Sequence, residues 1–176
     1  GRDKHLIITG GEPLLGWQRS YPDLINEIQN RGMGLTDITF ETNGTQWLTE
    51  EFHKYLTLIS RHVTITFSVS AKLPVSGEKW EDAIKPEIVR NYSLVPRSNT
   101  YLKFVVETEE DIKDARRAAD QFEDGGVKCP IYLMPVGGTS NVYEMNERNV
   151  ADYCRDNGFR FSPRIQVPLY KNAWGT

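Results

Sequence analysis

The sequence predicts an α/β fold of parallel strands covered by helices, and three observations carry that expectation. Short apolar, β-branched runs recur along the chain, segments with helical spacing separate each from the next, and caps and glycines mark the ends of those segments. The five predicted strands are "LIIT" (6–9), "DITFE" (37–41), "VTITFSVS" (63–70), "YLKFVVE" (101–107) and "IYLMPV" (131–136). Helical spacing covers 21–31, 49–60, 108–122 and 145–157. Thr49 precedes Glu50 and Glu51, and Thr108 precedes Glu109, Glu110 and Asp111, which sets a hydroxyl cap and an acidic first turn against N–H groups that lack helical partners. Gly32, Gly125 and Gly158 follow three of the helices. The alternation fits an open doubly wound sheet or a closed or partial barrel. One interval breaks the rhythm: residues 73–99 carry three prolines and read as an insertion, with a short helix at 80–84 and another starting at Pro86. It is either a surface decoration or a lid.

At 176 residues the chain suits a single domain, 1–176, with a real core. A formal net charge of -3 supplies no basic surplus for nucleic acid, so none is expected as a partner. There is no apolar run of membrane-spanning length and no signal pattern, which makes the cytoplasm the expected location. Cys129 and Cys154 have no histidine or cysteine at ligand spacing and read as two buried thiols. The first strand begins almost at once and no initiator methionine precedes it, so the chain is expected to be a piece of a longer protein.

In parallel α/β folds ligands bind at the carboxyl ends of the strands, where loops converge. The first strand ends in Thr9-Gly10-Gly11-Glu12-Pro13, the second in Glu41-Thr42-Asn43-Gly44-Thr45, the third in Ser68-Val69-Ser70-Ala71-Lys72 and the fifth in Met134-Pro135-Val136-Gly137-Gly138. Glycines there let a ligand approach the backbone, and the charged groups bind its polar parts. Glu12 is either an acceptor for an ammonium group or a partner of a helix dipole; Glu41 is either a turn former or a hydroxyl binder; Lys72 is either a surface lysine or a site residue. His5, His53 and His62 read as peripheral.

Together these segments resemble the radical S-adenosylmethionine superfamily, in which a "GGEP" at a strand end resembles the motif that binds the methionyl amine. In order, "TGGEPLL", "FETNGT", "SVSAK", "LKFVV", "LMPVG" and "FSPRIQVPLYKNAWGT" are similar to the 7-carboxy-7-deazaguanine synthase family, with an insertion like that of its phage-type members. The resemblance implies a partial parallel (β/α) barrel and a lyase that converts 6-carboxy-5,6,7,8-tetrahydropterin to 7-carboxy-7-deazaguanine. Its cofactors would be S-adenosyl-L-methionine, a [4Fe-4S] cluster and Mg2+. Gly10, Gly11 and Glu12 would hold the methionine end of the cofactor. Glu41, Ser70, Ala71, Lys72, Met134, Pro135, Val136 and Gly137 would line the cofactor cavity, and Thr9, Asn43, Arg164 and Gln166 would face the pterin substrate.

Two positions depart from the family pattern, Ala71 for a usual proline and Gln166 for a common histidine. The cysteine loop that holds the cluster would lie upstream of "GGEP", so the chain is expected to be the last three quarters of such an enzyme, without its first strand and inactive alone. An unpaired edge there implies self-association or a homodimer. The rivals are another radical S-adenosylmethionine enzyme or activase, and a non-catalytic α/β binding or assembly module.

Overall fold

Six strands form one all-parallel sheet in the order in which the chain makes them. The computed structural model describes residues 3–136 and 140–170, the side chains of 140–145 and of Gln166 lying outside that description. The strands are β1 (Lys4–Ile8), β2 (Leu35–Thr42), β3 (Thr64–Val69), β4 (Asn99–Val106), β5 (Ile131–Pro135) and β6 (Arg160–Phe161). The helices are α1 (Tyr21–Asn30), α2 (Glu50–Ile59), α3 (Trp80–Ala83), α4 (Pro86–Ser93), α5 (Glu109–Asp124), α6 (Ser140–Asn157) and α7 (Gln166–Tyr170). No described helix is long and apolar enough to cross a membrane.

A doubly wound sheet reverses direction at a switch point, and this one never does. Each crossover steps one place onward, which with crossovers of one hand lays the helices along one face. The result is a partial, singly wound (β/α) sheet, open at β1 and at β6 among the described residues.

Strand composition records this one-sided cover. Ile38 and Phe40 of β2, Ile65, Phe67 and Val69 of β3, Leu102, Phe104 and Val106 of β4 and Leu133 of β5 are all buried at the helical face. Phe40 stacks on Phe67 at 5.7 Å between ring centroids, and Phe67 on Tyr92 of α4 at 4.7 Å. Phe52 of α2 meets Phe40 edge to face. The alternate positions, Thr39 and Glu41, Thr66 and Ser68, Tyr101 and Lys103, Tyr132 and Met134, point the other way, and most are polar. Parallel sheets covered on both faces are apolar almost continuously; this one is not.

The helices begin where their caps dictate. The Thr49 hydroxyl accepts from Phe52 N at 3.3 Å, and Thr108 and Asp111 form a reciprocal capping box at 3.2 and 2.9 Å. Residues 73–99 are not a decoration. Leu73, Ile84, Ile88, Val89, Tyr92 and Val95 are buried in the core, and α4 serves as the crossover from β3 to β4. A sixth strand of two residues lies below the length at which alternation is visible. Helix α6 starts five residues earlier than its apolar spacing suggests.

The turn after β2 depends on Gly44, whose φ is +80° and whose added Cβ would lie 2.7 Å from Val69 Cγ1 and 3.1 Å from Val89 Cγ2. Gly44→Ala is therefore expected to destabilise the fold by about 2–4 kcal/mol, combining left-handed strain with overpacking. Gly32→Ala, at φ +63° with open space around it, should cost only about 1 kcal/mol. Equal shifts of the two urea midpoints would show that close packing at Gly44 is not what constrains it.

Candidate functional site

The polar sheet face and the loops beyond the carboxyl ends of β1 to β5 bring the predicted site segments together. After β1 the backbone turns at Gly10 (φ +128°), and an added Cβ at Gly10 or Gly11 would meet nothing within 4 Å. Thr9, Gly10 and Gly11 are exposed. A ligand thus has direct access to the peptide groups here. Thr9, Gly11, Glu12, Leu15, Trp17 and Tyr21 line a shallow cleft of about 420 Å3.

Glu12, in the wall of that cleft, joins two strand ends. Its Oε1 accepts from Thr42 Oγ1 at 2.7 Å and from Leu14 N at 3.1 Å, and its Oε2 accepts from Asn43 N at 2.7 Å. A carboxylate has about four acceptor positions, so three are occupied and one stays open. The helix-dipole alternative has no helix to serve, since α1 begins only at Tyr21. Tyr21 donates to Pro13 O, and burial, followed by the charge of Glu12, holds its phenol above the usual range.

Gln18, which sequence reasoning passed over, is buried and completes the bracing. Its amide nitrogen donates to Leu14 O and Trp47 O at 2.8 Å each, and its oxygen accepts from Thr49 N at 2.8 Å. A polar side chain with every major bond to backbone holds two loops in one register.

Glu41 is not the turn former. That role belongs to Asn43, whose Oδ1 accepts from Thr45 N at 3.0 Å and Thr45 Oγ1 at 2.7 Å. Glu41 lies on the polar face, where its Oε2 accepts from Ser68 Oγ at 2.9 Å and from Lys103 Nζ at 3.3 Å. Ser68 was named in the sequence only as part of a strand end and Lys103 was not singled out, although a lysine between apolar neighbours in "YLKFVV" is a legible signal. Ser70 N extends the ladder to Thr42 O at 2.8 Å, Ala71 is buried, and Lys72 is exposed. Across the sheet Arg164 Nε donates to Met134 Sδ at 3.3 Å, which joins two more of the predicted residues. Pro135 is buried and Val136 half-buried; Gly137 lies outside the described residues, and Gln166 opens α7 with its side chain outside them.

His5 Nε2 is 2.8 Å from Thr39 Oγ1 on the polar face, and His62 is exposed. Burial pushes the Cys129 thiol up to about 11 and raises that of Cys154 as well, so both are thiols, not thiolates, at neutral pH. No group of three histidine, cysteine or acidic side chains that could hold a metal occurs among the described residues.

The fold and site define a class: a singly wound parallel β/α sheet with a polar face and a glycine-rich rim at its carboxyl end. Along nearly its whole length the chain is similar to proteins named 7-carboxy-7-deazaguanine synthase. That of Pyrobaculum aerophilum is 26% identical over 97% of this chain, that of Halobacterium salinarum 27% over 96%, and that of Rhodopirellula baltica 22% over 98%. The chain spans about two thirds of the length of these relatives, between 64% and 67%. No family model and no solved structure matches it.

The bracing around Glu12 makes a direct prediction. In Glu12→Gln an amide nitrogen must face either the Thr42 hydroxyl and Leu14 N or Asn43 N, so a donor meets a donor. The variant should lose about 1–3 kcal/mol of stability in the absence of any ligand. Thr42→Val keeps the shape but removes the hydroxyl that donates to Glu12 and accepts from Gly44 N at 3.1 Å, and should lose about 1–3 kcal/mol. Unchanged unfolding midpoints for both would mean that the carboxylate does not brace the strand ends.

Proposed function

We propose that this chain is the major part of a cytoplasmic radical S-adenosylmethionine lyase that converts 6-carboxy-5,6,7,8-tetrahydropterin to 7-carboxy-7-deazaguanine with loss of ammonia. The observation that carries it is the convergence of "TGGEP", "ETNGT", "SAK" and "LMPV" on one rim of a sequentially ordered parallel sheet, in a chain whose relatives share that one name. The radical S-adenosylmethionine barrel is the natural completion of such a partial sheet.

In this reading the open backbone at Gly10 and Gly11 and the unfilled acceptor position of Glu12 receive the methionine ammonium. A carboxylate already aimed by three donors is well suited to that, because its orientation costs nothing further on binding. Ser70, Ala71, Lys72 and Met134 to Val136 lie along the adenosine, with Ala71 contributing backbone, its side chain being buried. Glu41 faces the same cavity. Thr9, Asn43 and Arg164 face the pterin, and a guanidinium fork suits its carboxylate.

The [4Fe-4S] cluster does not fit the residues present. It needs closely spaced thiolates, and Cys129 and Cys154 are separate, protonated thiols with no metal-ligand group around them. The thiolates of the cluster would therefore come from the remainder of the whole protein, and the reduced cluster, when bound, would supply the electron that starts the radical chemistry. What this chain contributes is binding and orientation.

By calorimetry the chain alone is expected to bind S-adenosylmethionine more weakly than micromolar, and to make no 5'-deoxyadenosine. The whole protein, reconstituted anaerobically and given reductant, Mg2+, cofactor and 6-carboxytetrahydropterin, should release 7-carboxy-7-deazaguanine. Formation of 5'-deoxyadenosine without the deazaguanine would point to a different radical enzyme. Sub-micromolar binding by the chain alone would show that the cluster is not the cofactor's main anchor. The open edge of β1 also supports self-association of the chain, which should appear as a sedimentation coefficient rising with concentration. A monomer at every concentration would argue that the edge is protected.

A further inference from the structure

We propose that Lys103 is a specificity-determining residue: with Glu41 it forms a donor–acceptor pair that reads the lactam edge, –NH–C(=O)–, of a pyrimidinone ring. The proposal rests on the pterin reading above and names the group that would recognise the ring.

Lys103 reaches from β4 across β3 to Glu41 on β2, with 3.3 Å between Nζ and Oε2. Its side chain is 18% exposed and that of Glu41 31%. By contrast, the ion pairs Glu27–Arg31, Glu50–Lys54 and Glu110–Lys113, and those of Asp152 with Arg148 and Arg155, join positions at most four apart, with both partners far more exposed. Such local pairs are worth little and solvate a helix surface. A half-buried pair between strands is different, because taking two charges out of water is costly unless their remaining hydrogen-bonding capacity finds partners.

Here it does not. Ser68 Oγ and Lys103 Nζ both donate to Oε2, and Oε1 has no partner among the described residues. The ammonium has three N–H groups, of which the pair uses one. An open carboxylate oxygen thus lies beside open ammonium donors on the face of the sheet that carries no apolar cover. By strand register Ser68 and Tyr101 stand at the level of Glu41, and no second carboxylate of β2, β3 or β4 shares that level.

The chemistry that this pair fits is specific. A lone carboxylate takes two adjacent donors, as in an amidine edge. With a lysine bound to one oxygen it offers one acceptor next to one donor, which complements a ring N–H beside a carbonyl. In a 2-amino-4-oxopteridine the N3–H would donate to Glu41 Oε1 while a Lys103 N–H donates to O4. In a 2,4-diaminopteridine both positions are inverted, and donor meets donor where acceptor meets acceptor. Leaving such partners unpaired is the strongest means by which a site rejects an analogue of the same shape.

The test compares pterin-6-carboxylate with 2,4-diaminopteridine-6-carboxylate, titrated into the chain at pH 7, where the 4-oxo ring keeps its lactam N–H, and followed by pteridine fluorescence and ligand-observed NMR. The wild-type chain should prefer the 4-oxo ring by at least about tenfold, the effect of one inverted pair. Lys103→Met should reduce the ratio to near one, and Lys103→Arg should preserve a preference. Should Lys103→Met fail to fold, Lys103→Thr, which suits a strand and is too short to reach Glu41, replaces it. A preference that survives removal of the lysine, or a wild-type chain that binds both rings equally, overturns the role given to Lys103 and leaves the pterin reading standing. A wild-type chain that binds neither ring overturns the pterin reading, and this proposal with it.

Discussion

Strands that step one place at a time across a parallel sheet leave their helices on a single face, and everything else in this protein follows from that asymmetry. One face must be apolar enough to bind the helices, as the stacked Phe40, Phe67 and Tyr92 show. The opposite face has no packing duty, so it is free to carry Thr39, Glu41, Thr66, Ser68 and Lys103. Period-two alternation lets one strand serve both needs, with core and site one residue apart.

Beyond the strand ends the same economy recurs in the loops. Glu12 and Gln18 bond almost wholly to backbone and neighbouring hydroxyls, which joins the end of β1 to the end of β2 and then to the start of α2. Buried polar groups so fully used act as struts, since any displacement leaves a donor or acceptor unpaired. The exposed Gly10-Gly11 backbone is thereby presented by a braced rim, although the glycines themselves add no rigidity.

Much of the fold was legible because its signals are local. Short apolar, β-branched runs identified β1 to β5, and Thr49 and Thr108 announced α2 and α5 through a cap that needs only a hydroxyl and the next three residues. Residues 73–99 were legible in part: the helix that opens at Pro86 follows from a local rule, whereas the packing of its Tyr92 against Phe67 in the core does not. β6 pairs through two residues, too few for any pattern, and only β5 beside it makes it a strand.

By itself the sequence determined the element types, the glycine-rich carboxyl rim and the likeness to 7-carboxy-7-deazaguanine synthases, because propensity, capping and motif order act over a few residues. Tertiary structure alone decided between a doubly wound and a singly wound sheet, since the same alternation of elements serves both and only strand order distinguishes them. It also decided what the charged residues touch. Glu12 with Thr42 and Asn43, and Glu41 with Ser68 and Lys103, are contacts between residues 27 to 62 positions apart. No local rule connects them, because register between strands is set by the packed face, and the polar face takes whichever neighbours that register delivers.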